Sequence, residues 1–148
     1  MNNFVYAMDK SFQDMKYAVN AILNKSIYEE EERQELFFYI GTCIHWILDY
    51  AERLDINEDD IKFISAFRYV NNSLKHCFEI KEISSQRGGV TFPIAFPLVI
   101  PHKQIVWSIV DNGKESQRNN YKEILCGKDV IVTCEKVIEV LMKCKMKI

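Results

Sequence analysis

One polar cluster in the middle of the chain carries side chains that can act on a phosphate group. It contains a guanidinium, two amides, an ammonium and an imidazole, those of Arg68, Asn71, Asn72, Lys75 and His76. No carboxylate interrupts the cluster. Arg and Lys bind phosphoryl oxygens and stabilise the charge that develops in a transition state. His transfers protons near neutral pH, and Asn orients either partner.

These groups together suit cleavage of RNA without a metal ion or cofactor. In that reaction the 2′-hydroxyl attacks the adjacent phosphate. His76 would act as the general base or acid, and Arg68 or Lys75 would stabilise the developing charge. Asn71 and Asn72 would bind or orient the substrate. The competing interpretation is a solvated helix face whose amide and imidazole groups only tie the fold together.

The third predicted helix must present this cluster. Asn57 and the three acidic residues after it are typical of a helix start, and the helix is predicted to continue through Cys77. On a helix, Arg68, Asn72 and His76 are four residues apart and form one row. The apolar side chains of the same stretch fall on the opposite side, towards the core: Phe63, Phe67, Val70 and Leu74.

Two long helices are predicted before it. Apolar residues recur at steps of three and four over residues 4–23 and again over residues 36–54. Asn2 or Asn3 can cap the first helix, and Ser26 can cap the second. Both stripes are wide enough to pack against a common core.

The pattern changes after the third helix. Apolar residues alternate over residues 90–100, and residues 105–110 can form another short strand. The prolines of this segment restrict it to a sheet edge or a bulge. Such an edge can bind a second chain or pack back onto its own bundle. The stretch from about 78 to 110 is therefore predicted as a β excursion.

A closing amphipathic stripe spans residues 130–141, after a break at Gly127. The sequence thus predicts one mainly α domain over residues 1–148. Its expected architecture is an antiparallel four- to five-helix bundle with a small β-hairpin inserted before the C-terminal helices.

Composition excludes several function classes. The 19 basic and 21 acidic residues give a net charge of −2, which argues against a wholesale basic surface for long duplex DNA but permits a local positive pocket. Five cysteines without a CxxC pair predict reduced thiols rather than disulfides or a zinc site. No apolar run reaches the roughly 18 residues of a membrane helix, and the N-terminus does not resemble a signal peptide. We therefore expect a cytoplasmic protein with no membrane partner.

The helical bundle and the run of residues 71–76, NNSLKH, resemble the HEPN superfamily of prokaryotic toxins, defence proteins and RNA-processing factors. Active members carry an Arg, four to six residues, then a His, often as R-N-x-x-x-H. Asn72 and His76 match the Asn and His of that motif, and Asn71 stands at the position of the Arg. The nearest arginine, Arg68, lies one helical turn earlier, with seven residues between it and His76. The resemblance covers the helical framework loosely and this hexapeptide specifically.

The resemblance implies metal-independent RNA cleavage, commonly at a site built where two copies of the chain meet. It also implies toxin–antitoxin or phage-defence biology. The expected partners are a second copy of the chain, RNA, and a protein partner or antitoxin. Because the motif arginine is displaced, the alternative is a non-catalytic HEPN-like interaction or regulatory protein that binds a protein partner.

Overall fold

The computed structural model describes residues 2–25, 27, 29–76, 81–83, 104–108 and 115–147. For residues 74–76 and 81–83 it describes the backbone alone. The described part contains five helices: α1 (Asn3–Leu23), α2 (Glu30–Ala51), α3 (Glu58–His76), α4 (Glu115–Ile124) and α5 (Val130–Lys143). It also contains four short strands: β1 (Leu54–Asp55), β2 (Lys81–Ile83), β3 (Gln104–Val106) and β4 (Lys145–Met146). The predicted fold class, mainly α with a small antiparallel hairpin, is confirmed.

The helix starts follow local capping chemistry. The side chain of Asn2 accepts a hydrogen bond of 2.8 Å from the backbone N–H of Phe4, so Asn2 caps α1 as predicted. The cap of α2 is Glu29, and the prediction of Ser26 was wrong. The Glu32 carboxylate accepts from the Glu29 N–H at 3.1 Å, which is one half of a capping box and fixes the start three residues later than expected.

The apolar stripes of the helices meet in one core. Phe4 near the start of α1 contacts Trp46 near the end of α2 edge-to-face, with ring centroids 6.5 Å apart, so these two helices are antiparallel. From α3, Phe67 and Val70 are fully buried as predicted. Phe67 and Val70 fix which side of α3 faces inward. Arg68, which lies between them in sequence, must therefore face outward or towards a neighbouring helix.

The hairpin is anchored to the bundle through β3. Strands β2 and β3 pair antiparallel, with Glu82 opposite Ile105. The Trp107 indole donates to the Thr133 hydroxyl at 2.8 Å, and the Gly127 N–H donates to the Trp107 carbonyl at 2.9 Å. Gly127 has a φ of 77°, which confirms the predicted break. The alternating segment 90–100 lies outside the described residues.

The sequence did not predict the second sheet. Strand β4 returns to pair antiparallel with β1, with Leu54 opposite Met146. The Lys147 N–H donates to the Arg53 carbonyl at 3.0 Å, and its ammonium donates to the Glu52 carbonyl at 3.0 Å. The residues after α5 are thereby fixed beside the corner between α2 and α3.

The described cysteines form no disulfide with one another. Cys43 and Cys134 are buried, and Cys126 and Cys144 are half-buried; Cys77 lies outside the described residues. This agrees with the predicted reduced thiols for these four. None of the helices in the described ranges has the length and apolar character that crossing a membrane requires.

Candidate functional site

Three polar residues, Ser65, Arg68 and Asn72, form what we call the polar face of α3. They follow one another at steps of three and four, which aligns them along one side of the helix. Arg68 and Ser65 are half-buried and Asn72 is exposed. The opposite side of α3 is buried in the core, so this face is the one that can meet a ligand.

Arg68 is held by an ion pair. Its guanidinium lies 3.4 Å from the carboxylate of Glu52, which follows the last residue of α2. The two side chains are 40% and 57% exposed. Exposed pairs of this kind contribute about 0–1 kcal/mol. An incoming phosphate, which the guanidinium can bind through two oxygens, can therefore displace Glu52 at small cost.

Helix α4 contacts the polar face at two points. The Asn120 amide donates to the Ser65 hydroxyl at 3.0 Å, and the Asn72 amide donates to the Gln117 carbonyl oxygen at 3.4 Å. Helix α4 begins at Glu115, so both Gln117 and Asn120 belong to it. Asn72 and Ser65 therefore also connect two helices.

A buried tyrosine pair fixes α4 against α3. The rings of Tyr69 and Tyr121 lie 4.8 Å apart between centroids. The Tyr121 hydroxyl donates to the Ser108 carbonyl, just after β3. Burial is the main cause that raises the pKa of Tyr121 well above its ordinary value, so the phenol stays neutral. This pair was not found from the sequence, because it joins segments about 50 residues apart that share no motif.

The predicted catalytic residues are spread along α3. The helix backbone continues through Lys75 and His76, whose side chains lie outside the described residues. With a rise of 1.5 Å per residue, the Cα atoms of Arg68 and His76 are about 12 Å apart, and those of Asn72 and His76 about 6 Å. Asn71 is half-buried. The structure thus brings Arg68 next to Glu52 and leaves two helical turns between Arg68 and His76.

A cavity of about 350 Å³ adjoins Arg68 at the corner between α2 and α3. Its apolar lining includes Leu54, Ile56, Ile61 and Ile64. Its rim carries two acidic and two basic side chains: Glu52, Asp55, Arg68 and Lys147. This cavity could not be found from the sequence, because Lys147 joins the 51–68 corner only through the β1–β4 pairing, which leaves no sequence pattern.

A second, aromatic hollow of about 280 Å³ lies between α1 and α2. Tyr6, Phe38 and Trp46 are among its lining residues. Tyr6 is 59% exposed and Phe38 is 64% exposed, so both rings present apolar surface to solvent. Elsewhere in the described part, no group of three or more His, Cys, Asp or Glu side chains is placed to hold a metal ion.

Comparisons with known protein families, curated proteins and solved structures find no match to this chain.

Proposed function

We propose that the chain is a HEPN-like protein of toxin–antitoxin or phage-defence type that acts on RNA along the polar face of α3. One observation carries the proposal: Arg68 and Asn72 lie accessible on one face of a helix whose backbone continues unbroken to His76. A phosphate chain laid along this face meets the guanidinium of Arg68 and then the amide of Asn72, four residues before His76 on the same helix.

The proposed reaction is metal-independent cleavage. His76 accepts the proton of a 2′-hydroxyl as that oxygen attacks the adjacent phosphorus. The bond from phosphorus to the 5′-oxygen breaks, that oxygen takes up a proton that the His76 imidazolium returns through solvent, and a 2′,3′-cyclic phosphate remains. Lys75, next to His76 in sequence, supplies positive charge at the scissile phosphate. Asn71 and Asn72 orient the substrate.

Arg68 has a different part in this scheme. Two helical turns separate it from His76, about 12 Å along the axis. Within one subunit Arg68 would therefore bind a neighbouring phosphate rather than the scissile one. The HEPN resemblance implies a homodimer, in which Arg68 of one subunit could approach His76 of the other.

The test is RNA cleavage by single-residue variants. His76→Ala should abolish cleavage while leaving the circular dichroism spectrum and the unfolding midpoint unchanged. Arg68→Ala should weaken RNA binding and reduce its dependence on salt concentration, because one phosphate contact is lost. Arg33→Ala is the matched control, since Arg33 forms an exposed pair with Glu30 at the same 3.4 Å on a different part of the surface. Equal cleavage by the parent and His76→Ala would refute the catalytic proposal.

A second candidate function is that of a non-catalytic interaction or regulatory protein. The exposed aromatic side chains of the α1–α2 hollow favour it, because aromatic residues are enriched in protein interfaces. A stoichiometric complex that survives purification, is lost in Phe38→Ser and is retained in Tyr17→Ser would support it. Tyr17 is a suitable control because it is 79% exposed on α1 but does not line the hollow.

A further inference from the structure

The cavity beside Arg68 has the composition of a site for one nucleotide. Its volume of about 350 Å³ lies at the lower end of the roughly 300–1,000 Å³ of small-molecule sites. Leu54 and Ile64 are almost fully buried in its apolar lining, whereas Ile61 is 52% exposed at its mouth. A planar base covering the exposed part of Ile61 would remove apolar surface from water.

Arg68 belongs to both the cavity rim and the polar face of α3. An RNA strand whose phosphates follow that face places one phosphate at Arg68, and the base attached there lies next to the cavity mouth. We propose that the cavity binds this base and selects guanine. The proposal rests on the action on RNA proposed above, and it names a recognition site at a distance from the reacting phosphate.

The preference for guanine follows from the carboxylates of the rim. Glu52 and Asp55 can only accept hydrogen bonds when ionised. Guanine presents a ring N–H and an amino group on one edge, so it can donate two hydrogen bonds to a single carboxylate. Adenine and cytosine present an amino group there, and uracil presents one ring N–H between two carbonyl oxygens that repel a carboxylate.

The Arg68–Glu52 pair couples the two recognition events. In the structure the Arg68 guanidinium lies 3.4 Å from the Glu52 carboxylate. When a phosphate binds the guanidinium, the Glu52 carboxylate loses that partner. It can then accept hydrogen bonds from the base. Lys147, whose ammonium lies at the Glu52 carbonyl, offsets the negative charge that the two carboxylates would otherwise present to an incoming phosphate.

The test is an isothermal titration calorimetry experiment at low salt, in which the intact protein is titrated with GMP, AMP, CMP and UMP in turn. We expect GMP to bind at least about tenfold more tightly than UMP, the low end of what one bidentate base contact discriminates. Because both rim carboxylates can accept from the base, Asp55→Asn combined with Glu52→Gln should reduce that ratio to less than about threefold. Arg68→Ala should lower the affinity for all four nucleotides by a similar factor, because it removes a phosphate contact.

Two further variants keep the inference falsifiable. Ile61→Ser should lower the affinity for all four nucleotides without changing their order of affinity. Asp14→Asn, which removes a carboxylate from α1 outside the cavity, should leave all four affinities unchanged. Equal affinity for the four nucleotides, or a guanine preference that survives both Asp55→Asn and Glu52→Gln, would overturn the inference. If GMP binds selectively and RNA is not cleaved, only the catalytic proposal fails. If His76-dependent cleavage occurs without selective binding, only the cavity inference fails.

Discussion

The guanidinium of Arg68 on α3 lies 3.4 Å from the carboxylate of Glu52 at the end of α2. This contact joins the polar face of α3 to the neighbouring cavity. Because both side chains are substantially exposed, the pair contributes little to stability. In the proposed function, Glu52 and an RNA phosphate compete for the same guanidinium.

Glu52→Gln tests that competition. The variant should change the free energy of unfolding by less than about 1 kcal/mol. It should raise the affinity for oligouridylate up to about fivefold, since Arg68 no longer has a carboxylate partner and uracil does not require one. Urea unfolding and fluorescence anisotropy measure the two effects. Glu30→Gln removes the partner of Arg33 and should leave RNA affinity unchanged. A loss of affinity in Glu52→Gln would contradict the competition.

The two contacts between α3 and α4 should differ in strength. The hydrogen bond from Asn120 to Ser65 is 3.0 Å long and partly buried, whereas that from Asn72 to Gln117 is 3.4 Å long and exposed. A double-mutant cycle of Ser65→Ala with Asn120→Ala should give a coupling energy of about 1 kcal/mol. The matched cycle of Asn72→Ala with Gln117→Ala should give a value near zero. Comparable couplings in both cycles would mean that Asn72 is primarily a structural residue.

The buried phenol of Tyr121 should stabilise the protein in a pH-dependent way. Tyr121→Phe removes its hydrogen bond to Ser108 and should cost about 1 kcal/mol near neutral pH. Because burial raises the pKa of Tyr121, its contribution is complete below the ordinary tyrosine pKa of about 10 and is lost as the pH rises further.

Unfolding in urea at pH 8 and pH 10.5 checks this prediction. The parent should lose more stability between the two values than Tyr121→Phe does. Tyr17→Phe alters an exposed ring and should behave as the parent. If the parent and Tyr121→Phe show the same dependence on pH, the phenol does not remain buried and neutral as the structure indicates.

Most of the helical framework could be predicted from the sequence, because burial of one helix face leaves a periodic pattern. The stripe over residues 130–141 matches α5, Asn2 caps α1, and Gly127 has the positive φ that a break requires. Residues 105–106 lie in β3, inside the predicted β excursion. These features are local, and local chemistry determines them.

The surroundings of the candidate site could not be predicted in the same way. The partner of Arg68 is Glu52, which belongs to another helix, and the rim residue Lys147 reaches the cavity through a two-residue strand. Such strands are too short to show alternation. The polar row itself was visible from its spacing, but only the packing of α4 shows that Asn72 and Ser65 also contact a second helix.

The most direct test of the account is the chemistry of the RNA ends. Purified protein is incubated with RNA in excess EDTA, and the products are analysed for 2′,3′-cyclic phosphate, with His76→Ala and Arg33→Ala in parallel. We expect cyclic-phosphate ends from the parent and from Arg33→Ala, and intact RNA with His76→Ala. Intact RNA with the parent, or the same ends with His76→Ala, would contradict catalysis by the imidazole of α3.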